Sequence, residues 1–135
     1  MTVVIDASVA LKWVLDEPGS EAAAALRREE LIAPGLWLAE AANALWRYVR
    51  LGQLTSEEAI VFLSELISAP IASLPMERHI ERALGLGTEI GHPIYDCIYL
   101  ALALHYDTHV LTADRRFAAL ANLPGLSGRV RLLGA

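Results

Sequence analysis

Val3-Val4-Ile5-Asp6-Ala7-Ser8 is a short β-branched apolar run that stops on an acid. A run of this kind reads as a buried strand, and Ser8 offers a hydroxyl to cap a helix over residues 8–15. The rest of the chain repeats the alternation. Leu31-Ile32-Ala33 is a second strand closed by Pro34-Gly35, residues 71–74 a third, His109-Val110-Leu111-Thr112 a fourth, and residues 130–133 a weaker last one. Between them the spacing predicts helices over residues 20–30, 37–51, 77–90 and 114–121. A further helix opens on the capping-box pattern Thr55-Ser56-Glu57-Glu58 and runs to about Ile67. After the break Gly91-His92-Pro93, residues 94–106 are apolar nearly all round, which predicts a buried helix. Short apolar strands alternating with helices imply an α/β domain built on a central parallel sheet of four to five short strands.

Bulk properties agree with one domain over residues 1–135. The 135 residues are 55% apolar, too many for a disordered chain. The apolar stretch 98–104 is far shorter than the roughly 20 residues a bilayer requires, so no membrane is expected. The amino terminus has no basic segment and reaches an acid by Asp6, unlike a signal peptide. Cys97 is the single cysteine, which removes internal disulfides and cysteine-based zinc sites and fits a cytoplasmic protein. Its apolar neighbours make it a small buried hydrophobe.

Ligands of an open parallel sheet bind outside the carboxyl ends of the strands. Asp6 and Asp114 lie just past two such ends, and Glu40 and Asp96 lie near the starts of helices that open at the same edge. Each has an ordinary alternative: helix caps for Asp6 and Asp114, a favourable dipole for Asp96, an exposed helical acid for Glu40. Asp96 is the hardest to set aside, because it interrupts an apolar segment and a buried carboxylate needs a partner, a proton or a metal. Taken together, converging carboxylates repel one another and raise some of their pKa values. A hard divalent cation such as Mg²⁺, which prefers oxygen ligands and keeps several waters, removes the difficulty and can activate water against a phosphodiester. The hydroxyls of Ser8 and Thr112, two residues from Asp6 and Asp114, could orient those carboxylates or serve simply as a cap and a strand-end group.

Val4-Ile5-Asp6-Ala7-Ser8, Glu40 with Asn43-Ala44-Leu45, Tyr95-Asp96 at the head of an Ala/Leu-rich helix, and Leu111-Thr112-Ala113-Asp114-Arg115-Arg116-Phe117 occur in that order and together resemble the PIN domain, in particular its VapC-type toxin branch. The resemblance implies a three-layer α/β/α domain. It implies an endoribonuclease dependent on one or two Mg²⁺ or Mn²⁺ ions, hydrolysing RNA with metal-activated water as the toxin of a type II toxin–antitoxin pair. It also implies a homodimer inhibited by a small cognate VapB-type antitoxin. Carried over residue by residue, the catalytic and metal site is Asp6, Glu40, Asp96 and Asp114. Some relatives carry a further acid after the fourth, where this chain has Arg115 and Arg116.

A net charge of −5 is unusual for a nucleic-acid enzyme. The four site acids account for four of those five charges, leaving −1 for the remainder. Basic residues trail three of the acids: Lys12 one turn after Ser8, Arg47 and Arg50 on the helical stripe of Glu40 and Asn43, and Arg115 with Arg116 after Asp114. Such a rim suits phosphate contacts; the alternative is a solvated surface. The four histidines read as structural or exposed, and Trp13, Trp37 and Trp46 as core or partner interface. Receiver domains and haloacid-dehalogenase-like phosphatases also place acids at strand ends. However, Leu74-Pro75 replaces a receiver's acceptor acid, no lysine follows Lys12, and Asp6-Ala7-Ser8 lacks the second acid of the phosphatase pattern. An inactive partner-binding PIN fold and a DNA-directed metal nuclease remain as alternatives.

Overall fold

In the computed structural model, which describes residues 2–134, the β-branched runs pair as one sheet. Its strands are β1 (Thr2–Ile5), β2 (Glu30–Pro34), β3 (Ile71–Leu74), β4 (Val110–Thr112) and β5 (Val130–Leu132), in the order β3-β2-β1-β4-β5, with every pairing parallel. The helices α1 (Ala7–Ala10), α2 (Ser20–Ala25), α3 (Leu36–Arg50), α4 (Ser56–Ile67), α5 (Glu77–Ile90), α6 (Ile94–His105) and α7 (Arg115–Ala118) flank it as a three-layer α/β/α arrangement.

The chain adds β2 and β3 on one side of β1, then returns to place β4 on the other. The strand order therefore reverses between β1 and β4, and their carboxyl ends open a crevice at that point. Ile5 pairs with Leu111, so Asp6 and Thr112 emerge side by side.

Burial follows the apolar pattern. Seven consecutive residues of α6, from Cys97 to Ala103, are buried, and the helix packs on β1, β2 and β4. Gly87 lets α5 approach α6 closely: a Cβ there would stand 2.6 Å from Ile94 Cδ1 and 2.9 Å from the His92 carbonyl. The capping box at α4 forms, with Thr55 Oγ1 accepting from the Glu58 amide (3.0 Å) and Glu58 returning to the Thr55 amide (2.9 Å).

Several helix ends differ from the sequence expectation. Asp6, not Ser8, is the α1 cap: it has extended backbone and its side chain accepts from Val9 N. Helix α1 stops at Ala10 and continues only as a 3₁₀ turn over Leu11–Trp13, where the Trp13 indole donates to the Ala23 carbonyl (2.7 Å). The helix expected over residues 20–30 ends at Ala25, followed by a 3₁₀ turn over Leu26–Arg28, because Glu30 is already paired with Thr2 in the sheet. The helix expected over 114–121 is α7 plus a 3₁₀ turn, Ala119–Asn122. Among the described residues, no helix is long and apolar enough to cross a membrane.

Candidate active site

Asp6 leaves the end of β1 buried, only 7% exposed. Its Oδ1 accepts from Ser8 Oγ (2.5 Å) and Val9 N (3.4 Å), and its Oδ2 accepts from Thr112 Oγ1 (2.5 Å). The two hydroxyls are themselves fixed. Ser8 Oγ accepts from the Ala113 amide (2.9 Å) and Thr112 Oγ1 from the Asp114 amide (3.0 Å). They tie the β1–α1 junction to the β4–α7 junction. Loss of hydration pushes the Asp6 pKa up to about 6; the three hydrogen bonds oppose that rise and the Asp96 charge adds to it.

Glu40 lies in the second turn of α3, where its Oε1 accepts from the Tyr99 hydroxyl of α6 (2.5 Å). Its pKa is raised by partial burial, against the Tyr99 hydrogen bond and with the Asp96 charge. Burial also raises the Tyr99 phenol, reinforced by the neighbouring carboxylates, so Tyr99 stays a hydrogen-bond donor. Asp96 stands in the first turn of α6, and its Oδ2 accepts from His92 Nε2 at 2.7 Å. Burial raises its pKa; His92 and Arg116 oppose the rise and the Asp114 charge adds to it. Asp114, the exposed N-cap of α7, accepts from the Arg116 amide (2.9 Å).

Asp96 is the electrostatic hub, since it raises the pKa values of Asp6 and Glu40 and feels Asp114. The repulsion expected from the sequence exists, but burial is the larger cause at each raised acid. Among the described residues, no Lys or Arg forms an ion pair with any of the four. Equally, no three His, Cys, Asp or Glu side chains among the described residues stand close enough together to hold one ion. Each carboxylate is turned to its own protein donor instead. By donor chemistry the set suits Mg²⁺ or Mn²⁺: the ligands are oxygens, the negative charge lacks lysine or arginine partners, and such a cation needs only one or two direct carboxylates.

The basic residues are placed unevenly. Arg115 and Arg116 are exposed beside Asp114, and the Arg116 charge reaches Asp96. Lys12 pairs with Glu17 (3.7 Å) and shares with Arg115 and Ala113 a groove of about 390 Å³. Arg47 is exposed in the last turn of α3, and its charge registers at Tyr48 rather than at Glu40. Trp37 is buried and Trp13 is packed against the core, whereas Trp46 is 54% exposed.

Two site residues escaped the sequence reading. His92, expected to be structural or exposed, has a buried side chain bonded to Asp96. Tyr99, read only as part of an apolar run, holds Glu40. Both left a signal: His92 precedes Asp96 by four residues, and a tyrosine in the buried stretch of a helix needs an acceptor for its hydroxyl.

A parallel sheet with acids gathered where its strand order reverses defines the class: an α/β domain with an acidic crevice at the carboxyl edge. A family model described as PIN domain matches residues 3–123. Ribonuclease VapC3 of Pyrobaculum aerophilum is 34% identical over 123 residues, covering 87% of this chain and 93% of that protein. Ribonuclease VapC12 of Mycobacterium tuberculosis is 30% identical over 117 residues, covering 86% and 89%. The crystal structure of PAE2754 from Pyrobaculum aerophilum superposes with a TM-score of 0.72 at 23% identity, over 97% of this chain and 83% of that one, which supports the fold. The chain belongs to the PIN-domain family, among its VapC-type members.

Proposed function

We propose that this protein is a Mg²⁺- or Mn²⁺-dependent endoribonuclease and the toxin of a type II toxin–antitoxin pair. The observation that carries the reading is the gathering of Asp6, Glu40, Asp96 and Asp114 around the β1–β4 crevice without lysine or arginine partners. The ribonuclease names of its relatives supply the substrate class.

Asp6 and Asp96 are the carboxylates best placed to hold the cation, with Glu40 and Asp114 completing the negative field. When bound, such a cation neutralises charge growing on the phosphodiester and lowers the pKa of the attacking water. The chain's own groups do the rest. Ser8 and Thr112 orient Asp6, Tyr99 orients Glu40, and Arg115 and Arg116 meet the phosphates of the strand. Lys12 extends that contact along the groove beside Ala113, and Arg47 lies farther out.

The antitoxin's place is the apolar groove between α3 and α4, lined by Ala42, Leu45, Trp46, Val49, Ile60 and Leu63. Trp46 and Ile60 there are 54% and 64% exposed, apolar side chains that a partner would cover. The assembly is a homodimer inhibited by a small VapB-type antitoxin.

The test is cleavage of matched single-stranded RNA and DNA oligonucleotides with Mn²⁺ and with EDTA. We expect RNA cut only with metal, leaving 5′-phosphate and 3′-hydroxyl ends, and no activity in Asp6→Asn or Asp96→Asn. Products with 2′,3′-cyclic phosphate would refute the mechanism, because they require attack by the RNA's own 2′-hydroxyl. Equal cleavage of DNA would move the substrate class.

A further inference from the structure

We infer that His92 is a positioning residue, whose imidazole fixes the orientation in which the Asp96 carboxylate presents itself to the crevice. The inference rests on the reading of Asp96 as a carboxylate that holds the cation.

The contact itself is short and shielded. His92 Nε2 stands 2.7 Å from Asp96 Oδ2, and the His92 side chain is only 8% exposed. An exposed i,i+4 pair of this kind contributes little; here the His92 side chain is buried while the Asp96 side chain is 27% exposed. The bond engages one carboxylate oxygen, Oδ2, from the ring side. A neutral imidazole with its proton on Nε2 can also donate there, so the contact does not require His92 to be a cation.

His92 is in turn held from several directions. Its ring stacks on Phe117, with centroids 5.9 Å apart and planes at 29°. Phe117 is fully buried and belongs to α7, the helix that Asp114 caps. The His92 amide donates to the Gly87 carbonyl (3.2 Å), and the His92 carbonyl accepts from Cys97 Sγ (3.8 Å). Gly91 turns the chain with φ +68°, a left-handed value suited to glycine. Gly87 leaves room for the His92 carbonyl where a Cβ would stand 2.9 Å away. Through Phe117 and Nε2, His92 therefore links the helix carrying Asp96 to the helix carrying Asp114.

A helix-start pair needed only for stability would require none of this convergence on the acid whose charge raises both Asp6 and Glu40. Hydrogen bonds to ligating groups commonly set metal affinity by roughly 10- to 100-fold.

The experiment is Mn²⁺ titration calorimetry on the full chain, with thermal melts in EDTA alongside, for wild type, His92→Ala, His92→Gln and Asp96→Asn. Glutamine can offer an N–H near the position of Nε2. We expect His92→Ala to weaken Mn²⁺ binding at least about tenfold. We expect His92→Gln to recover most of that loss, and Asp96→Asn to abolish the binding. Wild-type affinity in His92→Ala beside a lost site in Asp96→Asn would overturn the role of His92 alone. So would a His92→Gln affinity as poor as that of His92→Ala with both proteins folded, since the donated hydrogen bond would then not be the cause. Wild-type affinity in Asp96→Asn would instead remove the underlying reading of the site, and this inference with it.

Discussion

Asp6 carries the clearest physical signature of any single residue. Its pKa rises from 3.8 to about 6 chiefly because burial strips its hydration. A raised carboxylate means that the native state binds more protons than the unfolded chain between those two values. The stability associated with Asp6 is therefore full below pH 3.8 and is lost as pH rises through about 6. The difference corresponds to about 3 kcal/mol by pH 7. Asparagine does not titrate, so the Tm of Asp6→Asn minus that of wild type, both in EDTA, should be several degrees more positive at pH 7 than at pH 4. A pH-independent difference would show that burial does not penalise the ionised Asp6. At this scale the four acids could be singled out in the sequence because Asp6 and Asp114 follow strand ends and Asp96 and Glu40 lie in the first two turns of their helices. His92 and Tyr99 were not, because their partners depend on how helices cross. Tyr99 lies 59 positions along the chain from Glu40, and no local pattern encodes that meeting.

At the scale of elements, all five strands and the longer helices could be read from apolar periodicity, and α5 was placed residue for residue. The misplaced ends were those of the short helices, where 3₁₀ turns take over and tertiary contacts decide where each stops. Helix α5 offers a paired test of how packing overrides propensity. Gly85 has nothing within 4 Å of a would-be Cβ, whereas at Gly87 that atom would strike Ile94 and the carbonyl of His92. Gly85→Ala should raise stability by about 0.5–1 kcal/mol through helix propensity. Gly87→Ala should lower it by about 1–3 kcal/mol through overpacking. Urea unfolding of the two variants decides it; the same sign of change in both would mean that α5 and α6 are not packed as described.

For the molecule as a whole, the net charge of −5 seemed to argue against a nucleic-acid enzyme. In the fold Arg115 and Arg116 are exposed beside Asp114, and the Arg116 charge reaches Asp96. Arg116→Ala should weaken binding of single-stranded RNA and reduce the log–log salt slope by about 0.7, the change expected for one lost phosphate contact. An unchanged slope would return Arg116 to the ordinary surface. The α3–α4 groove belongs to this scale too: Trp46 and Ile60 on its walls are 54% and 64% exposed. Its apolar residues were visible in the sequence, but their exposure was not, because periodicity marks an apolar face without saying what covers it.

Whether Asp6 and Asp96 hold one cation between them is tested most directly by a thermal melt. Wild type, Asp6→Asn and Asp96→Asn are stripped with EDTA and melted near pH 7 with and without Mn²⁺. A cation that binds only the folded state stabilises it by about 2.7 kcal/mol at one hundred times its Kd. The account predicts a Tm rise of several degrees in wild type and almost none in either variant. Equal shifts in all three proteins would contradict it, since Mn²⁺ would then be binding somewhere that Asp6 and Asp96 do not form.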